Sequence, residues 1–158
     1  MRINGVLTSS LVNGDGIRYV IFLQGCTHGC VGCQNTDTWA INGGREMSVE
    51  EIIDDILKRP LIDGITLSGG EPFMQQAECV KLIKKLPKRL ANVWIYTGFT
   101  YDTIKNSELA NLADFIVDGK FEIDKRVAGW YGGSSNQRLI NVKKGTIMEY
   151  GERLQPEL

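Results

Sequence analysis

Apolar segments alternate with amphipathic ones along this chain, as expected of strands and helices that follow one another. Residues 18–24 contain the continuous apolar run Tyr-Val-Ile-Phe-Leu, which is typical of a strand buried on both faces. Shorter apolar runs predict further strands at 65–67, 93–96 and 115–117, and a last strand at 138–142. The pattern therefore predicts about five strands.

Amphipathic segments between these strands predict helices. Ser48 and Glu51 have the spacing of a capping box, and the helix that they begin ends before Pro60. Its apolar positions recur at helical spacing: Val49, Ile52, Ile53, Ile56 and Leu57. A second helix has a buried face made of Cys79, Leu82, Ile83 and Leu86. A weaker pattern predicts a third helix over 103–112.

Repeated strand, loop and helix units predict an α/β fold. We expect a partial (incomplete) βα barrel, or a curved, largely parallel sheet with helices on its outer face. The 158 residues are too few for a closed eight-stranded barrel, which takes about 250. With 42% hydrophobic and 23% charged residues, the chain can build one core, so residues 1–158 are expected to form a single domain.

The sequence contains no apolar stretch near the about 20 residues that a membrane span requires. Met1 leads into a mixed segment that lacks the pattern of a signal peptide, so we expect a soluble, cytoplasmic protein. A reducing compartment keeps thiols available as metal ligands. The net charge of −1 gives no general reason to bind nucleic acid, and the basic residues within 81–89 suit the solvated end of a helix.

Three of the four cysteines lie close together in the chain. Cys26, Cys30 and Cys33 share a glycine-rich segment, whereas Cys79 is distant. Because each glycine costs about 1 kcal/mol relative to alanine inside a helix, the segment is expected to be a loop that wraps around a ligand. A 4Fe-4S cluster that only carries electrons takes four thiolates, so three would leave one iron open to another ligand.

The spacing of these cysteines is also compatible with a helix, a disulfide or a zinc site. Positions i, i+4 and i+7 share one face of a helix, where three thiols would simply be buried. Disulfides would leave an odd cysteine and would be strained at this spacing. Zinc bound by the three thiolates and His28 is a stronger rival, although His28 lies between two of the ligands, where the short loop can hardly aim it at the same metal.

Three further segments are predicted to follow strands directly: 68–72, 96–99 and 118–121. In sheets with parallel strands, ligand sites lie beyond the carboxyl ends of the strands. The cysteine loop follows a strand as well. We therefore expect all four segments to meet at one edge of the sheet.

Two of these segments carry residue types suited to a charged ligand. Gly69 and Gly70 would expose backbone groups at close range, and Glu71 could accept from a cation such as an ammonium, although such a segment could also be an ordinary turn. Asp118 and Lys120 offer opposite charges at the end of one strand. They could equally form a solvated ion pair without a ligand role.

The C-x3-C-x2-C loop followed by Gly-Gly-Glu-Pro at 69–72 is similar to the radical S-adenosylmethionine superfamily, whose members bind a 4Fe-4S cluster by such a loop. More narrowly, the chain resembles the activating proteins of anaerobic ribonucleoside-triphosphate reductases. The resemblance covers 13–18, 24–33, 35–39, 69–72, 96–99, 118–121 and 133–138. Gly32 stands where many superfamily members carry an aromatic residue, but glycine is common there among the reductase activators.

The resemblance implies a site. Cys26, Cys30 and Cys33 would hold three irons, and the methionyl amino and carboxylate groups of S-adenosylmethionine would bind the fourth. Gly69, Gly70 and Glu71 are implied to bind the cofactor, with Gly70 and Glu71 at the methionyl ammonium. Further implied cofactor-binding residues are Gly32, Cys33 and Gln34 on the adenosyl side, and Asp118 and Lys120 near the carboxylate or a neighbouring cation.

The resemblance also implies a reaction. An electron donor such as flavodoxin would reduce the cluster, and reductive cleavage of S-adenosylmethionine would give methionine and a 5'-deoxyadenosyl radical. That radical would generate a glycyl radical on the large subunit of the reductase, whose glycine loop would enter the open side of the sheet. Residues 133–138, polar and flexible, are expected to help dock this partner.

Two alternative functions stay open on the sequence alone. The chain could activate a different glycyl-radical enzyme or be a small-molecule radical S-adenosylmethionine enzyme, although it lacks the extra cysteines of an inserted ferredoxin-like domain. Outside enzymes, it could be a zinc-stabilised interaction module.

Overall fold

A mixed sheet organises the chain in the computed structural model, which describes residues 1–33 and 35–152. Its strands are β1 (Arg2–Ser10), β2 (Arg18–Leu23), β3 (Arg45–Glu46), β4 (Gly64–Gly69), β5 (Val93–Tyr96), β6 (Phe115–Asp118), β7 (Arg138–Asn141) and β8 (Thr146–Met148). The α-helices are α1 (Val49–Leu57), α2 (Gln76–Lys84), α3 (Tyr101–Ile104) and α4 (Glu108–Leu112). Short 3-10 helices cover Thr36–Thr38, Pro72–Gln75, Lys88–Leu90 and Ile123–Lys125.

The strands lie in the order β3-β1-β2-β4-β5-β6-β7-β8. The central four, β2, β4, β5 and β6, run parallel to one another. The strands at both edges are antiparallel, so the expectation of a largely parallel sheet is wrong there. The α/β class and the open sheet are confirmed, while the partial-barrel detail stays a prediction. The connections from β1 to β2 and from β7 to β8 are short, and such antiparallel pairing needs no crossover helix.

The apolar pattern of the sequence does not predict the first strand, β1. β1 pairs with β2, with Val6 opposite Ile21 and Leu7 opposite Val20, and its register shifts twice. On its outer side, β1 pairs with β3 at Arg2 and Ile3. Because a strand near the edge of a sheet tolerates polar and glycine residues and irregular register, it lacks the continuous apolar run of a central strand.

The helices contribute to a core on one face of the sheet. Its fully buried members include Ile52 and Ile56 from α1, Cys79 and Leu82 from α2, and Leu109 from α4, packed with residues of the central strands. Cys79 is therefore a core residue, as expected. Among the helices that the structure describes, none has the length and apolar character to cross a membrane.

The helix boundaries confirm one prediction and correct another. The Ser48 hydroxyl caps α1 by accepting from the Glu51 backbone N–H at 3.1 Å. The helix expected over 103–112 is divided into α3 and α4. Ser107 causes this division, because its hydroxyl accepts from the Ala110 N–H and begins a new helix.

A smaller apolar cluster lies apart from the helix-covered core. Trp94, Val117 and Leu139 form it, and Trp130 and Tyr131 pack against it. The ring centroids of Trp94 and Tyr131 are 5.2 Å apart. The segment that precedes β7 thereby covers the sheet and is held close to it.

A buried arginine joins the beginnings of two central strands. Arg18, on β2, is 1% exposed and donates to the Ile65 carbonyl on β4 and to both the backbone and side-chain oxygens of Asn92. Burial lowers the pKa of Arg18 to about 10. The guanidinium therefore links β2 to β4 and to the loop before β5 by hydrogen bonds. These bonds lie at the amino ends of the strands, opposite the edge that carries their carboxyl ends.

The pairing of β6 with β7 places Arg138 opposite Asp118. The Arg138 Nη2 lies 2.7 Å and its Nε 3.2 Å from the Asp118 carboxylate, which also accepts from the Tyr101 N–H. The hydrogen bond to Asp118 raises the pKa of Arg138. Asp118 thus forms its ion pair across the strands with Arg138 and not with Lys120, because Arg138 faces the carboxylate directly.

Replacing Asp118 with asparagine is expected to lower the free energy of unfolding by about 2–3 kcal/mol, because it leaves the Arg138 guanidinium beside a neutral amide that cannot accept from both nitrogens. Urea denaturation measures this change. Asp54→Asn, at an exposed carboxylate on α1, is the matched control and should change stability by less than about 0.5 kcal/mol. Equal losses in the two variants would contradict the structural role of the Asp118–Arg138 pair.

Candidate functional site

A cavity of about 150 Å³ lies at the carboxyl ends of the central strands. Its walls come from the loop after β2, the end of β4, the end of β5 and the segment after β6. The lining residues include Cys26, Cys30, Cys33, Gly69, Gly70, Thr97, Gly98, Gly119 and Gln137. Segments far apart in sequence therefore meet at one place, as the strand-end pattern predicts.

The three clustered cysteines lie on this cavity in an irregular loop. All are half-buried free thiols, and Cys79 is a buried free thiol. The loop contains glycines with positive φ at Gly29 (+63°) and Gly32 (+76°), which an α-helix does not allow. The positive φ values exclude a shared helix face as the reason for the spacing, and the three thiols are unpaired in this structure.

Backbone hydrogen bonds hold the beginning of the loop against the following segment. The Gly25 N–H donates to the Thr38 carbonyl at 2.6 Å, and the Cys26 N–H donates to the Trp39 carbonyl at 3.2 Å. Burial raises the pKa of the Cys26 thiol, while the backbone N–H of His28 acts in the opposite direction. A bound cation would favour the thiolate form that metal ligation requires.

Gly69 and Gly70 approach the cysteine loop closely through their backbone. The Gly70 N–H donates to the Leu23 carbonyl, and the Glu71 N–H donates to the Gly25 carbonyl at 2.8 Å. A Cβ atom at Gly70 would collide with the Gly25 carbonyl oxygen. Glycine is therefore required here for the close approach of two backbone segments.

Glu71 lies beneath the cavity rather than on its wall. Its side chain is 1% exposed, and its two oxygens lie within hydrogen-bond distance of donors from His28, Phe73, Thr97 and Gly98. The carboxylate that the sequence suggested for an external cation is thus occupied by donors of the protein itself.

A second cavity, of about 830 Å³, adjoins the first and shares several of its lining residues, including His28 and Cys30. Asp118 and Lys120 line this larger cavity and not the cysteine cavity. Lys120 is exposed, and within residues 1–33 and 35–152 its ammonium has no ion-pair partner. Asp118 is buried and paired with Arg138.

Residues 133–138 form part of the wall of the site and are not a free segment. The Gln137 side chain accepts from the Gly133 and Ser134 N–H groups and donates to the Gly119 carbonyl. Ser134 is fully buried. The flexibility expected of this segment is corrected by these contacts, which a polar composition does not reveal.

Several residues of the site have partners or positions that the sequence patterns do not reveal. His28, a possible zinc ligand by its position, has its Nε2 2.6 Å from Glu71 Oε1. Thr97 and Gln137 lie within longer segments of the resemblance, and their position near strand ends is the signal that could have singled them out. Gly32 is exposed and next to Ile123, and Gln34 lies outside the described residues.

The donor set suits an iron–sulfur cluster. Three thiols line one cavity, and all four cysteines are free. Among the described residues, no group of three Cys, His, Asp or Glu side chains is arranged around a single metal ion. A 4Fe-4S cluster needs its thiolates spread around a cube of irons, so thiols that share a cavity can meet this requirement.

Comparisons with known proteins agree with this chemistry. A family model described as a 4Fe-4S single cluster domain matches residues 12–140. Anaerobic ribonucleoside-triphosphate reductase-activating proteins are similar over most of their length. The one from Enterobacteria phage T4 is 33% identical over 145 residues (88% of this chain and 93% of the relative), and the one from Escherichia coli K12 is 35% identical over 147 residues (84% and 94%).

The protein of the same name from Salmonella typhi is 34% identical over 154 residues, which cover 90% of this chain and all of the relative. Identity at this level over nearly complete chains shows common descent. The chain therefore belongs to the family of anaerobic ribonucleoside-triphosphate reductase-activating proteins, with a 4Fe-4S single cluster domain.

Proposed function

We propose that this chain activates an anaerobic (class III) ribonucleotide reductase by reductive cleavage of S-adenosylmethionine at a 4Fe-4S cluster, which generates a glycyl radical on the large subunit of the reductase. The observation that carries this proposal is the cavity shared by Cys26, Cys30, Cys33, Gly69 and Gly70 at the strand ends. The names of the similar proteins support the reductase as the partner.

In this proposal Cys26, Cys30 and Cys33 hold the cluster and leave one iron for the methionyl end of S-adenosylmethionine. When bound, the cluster would supply one electron to the sulfonium, whose carbon–sulfur bond would break to give methionine and a 5'-deoxyadenosyl radical; this radical would take a hydrogen atom from the partner's glycine. The task of the chain is to hold both groups in a fixed orientation and to keep water away from them.

Different residues are assigned to different parts of the cofactor. We assign the methionyl ammonium to backbone carbonyls of Gly69 and Gly70, because the Glu71 carboxylate already accepts from the protein. The adenosyl side is assigned by the resemblance to Gly32, Cys33 and Gln34; Cys33 lines the cavity, and Gln34 lies outside the described residues. Glycine at 69 and 70 leaves room for a bulky cofactor to approach the backbone.

Lys120 and Asp118 take different roles in this scheme. Lys120, exposed on the adjoining cavity, is our candidate for the cofactor's carboxylate, since its ammonium can move toward an anion. Asp118 keeps Arg138 in place on the wall of that cavity.

The larger cavity is our proposed route for the glycine segment of the reductase. It adjoins the cysteine cavity, its walls include the aromatic side chains of Phe99 and Phe121, and residues 133–138 contribute Asn136 and Arg138. A partner seated there would complete the enclosure around a reactive radical. The electron would come from a donor such as flavodoxin; Val31 in the cysteine loop is 76% exposed, which favours approach from that side.

The glycyl radical itself is the first expected outcome. Anaerobic reconstitution with iron and sulfide, followed by reduction with S-adenosylmethionine and the large subunit of a class III reductase, should give a glycyl-radical doublet by electron paramagnetic resonance. Substitution of the partner's radical glycine by alanine should remove the doublet. Cleavage of S-adenosylmethionine without a radical on the native partner would contradict the proposed target.

Cysteine substitutions test the ligands separately. Cys30→Ala should abolish the intact cluster and the cleavage of S-adenosylmethionine, because a cube held by two thiolates loses iron. Cys79→Ala is the matched control; its thiol is buried in the core, so iron and acid-labile sulfide per chain should stay at the native level while stability falls slightly. An intact, active cluster in the Cys30 variant would exclude the assigned ligand set.

A further inference from the structure

The Glu71 carboxylate is the centre of a hydrogen-bond network beside the cysteine loop. The Gly98 N–H donates to its Oε1 at 2.8 Å, the Phe73 N–H donates to its Oε2 at 3.1 Å, and the Thr97 hydroxyl lies 2.8 and 2.9 Å from the two oxygens. His28 Nε2 lies 2.6 Å from Oε1. Because a carboxylate only accepts, the imidazole is the donor in this pair.

His28 brings the cysteine loop into this network. It stands between Cys26 and Cys30, yet its side chain is only 8% exposed. The ring packs edge-on against Phe99 with centroids 4.7 Å apart, and it covers Gly98, where a Cβ atom would lie 2.5 Å from His28 Cδ2. The absence of a side chain at residue 98 therefore makes room for the imidazole.

The backbone adds a second attachment. The Glu71 N–H donates to the Gly25 carbonyl, so Glu71 holds the loop before Cys26 through its backbone and after Cys26 through its carboxylate and His28. A flexible loop loses conformational entropy when it is ordered around a ligand. Attachments that fix the loop beforehand reduce that loss when the ligand binds.

We propose that His28 and Glu71 form a latch, defined as their side-chain pair, which positions the cysteine loop for the cluster. Glu71 is then a positioning residue rather than a ligand of the cofactor's ammonium. This inference rests on the proposed cluster site, but it concerns assembly and retention of the cluster and not the target of the radical.

The latch predicts faster loss of iron when it is broken. In the reconstituted holoprotein, His28→Leu should release iron to a chelator about tenfold faster than the native chain under anaerobic conditions, the size expected from one lost charge-assisted hydrogen bond. His28→Gln, which keeps an N–H donor near the Nε2 position, should restore retention to within about twofold. Thr27→Ala, at an exposed neighbour, is the matched control.

A double substitution tests whether the two residues act together. His28→Leu combined with Glu71→Gln should release iron no faster than the more affected single variant, because His28→Leu removes the donor of the pair and Glu71→Gln removes the charge of its acceptor. Fully additive effects would overturn the latch. A second result would also overturn the latch: both single variants retain iron like the native chain, and only Glu71→Gln binds S-adenosylmethionine more weakly. That result is expected if Glu71 is a ligand of the ammonium.

Where His28→Leu fails to fold, His28→Ala takes its place as the variant without a donor. Release about tenfold faster from His28→Ala than from His28→Gln supports the latch, and equal release from these two variants overturns it. Iron release needs neither the reductase nor S-adenosylmethionine. If the variants release iron as expected but no glycyl radical forms, the proposed target is refuted and the latch is not. If the glycyl radical forms but the variants release iron like the native chain, the latch alone is refuted.

Discussion

The parallel pairing of β2, β4, β5 and β6 is the constraint on which the site depends. Because these strands run in the same direction, their carboxyl ends lie at one edge, and each strand delivers a different loop to that edge. Leu23 pairs with Gly69, so the cysteine loop and the Gly-Gly-Glu-Pro segment begin side by side. The buried helix-covered face fixes this register, since a shift of one residue would expose the apolar side chains.

Glu71 converts this alignment into a defined site. Its backbone and carboxylate connect the ends of β2, β4 and β5, and it does so in a place with 1% exposure, where unpaired polar groups are costly. The walls of both cavities are completed by the segment after β6 and by the beginning of β7, where Gln137 and Arg138 are held by hydrogen bonds. Segments that follow β2, β4, β5 and β6 thus line the cysteine cavity, and the larger cavity adjoins it.

Sequence patterns are informative where burial dictates residue type. Continuous apolar runs identify the central strands, and glycine spacing identifies the cysteine loop. β1 and the short strands β3 and β8 escape prediction, because a strand near the edge of a sheet tolerates polar residues. Side-chain partners escape as well: Asp118 pairs across strands with Arg138 and Glu71 with His28, and such contacts depend on register and loop path rather than on local pattern.

The central claim is that three thiolates leave one iron to which S-adenosylmethionine binds. Electron-nuclear double resonance on the reduced, reconstituted protein tests it most directly, with S-adenosylmethionine labelled by nitrogen-15 at the methionyl amino group. We predict a nitrogen-15 coupling to the cluster that disappears when unlabelled cofactor replaces the labelled one. A protein with a complete, reduced cluster and bound cofactor that shows no such coupling would contradict this claim.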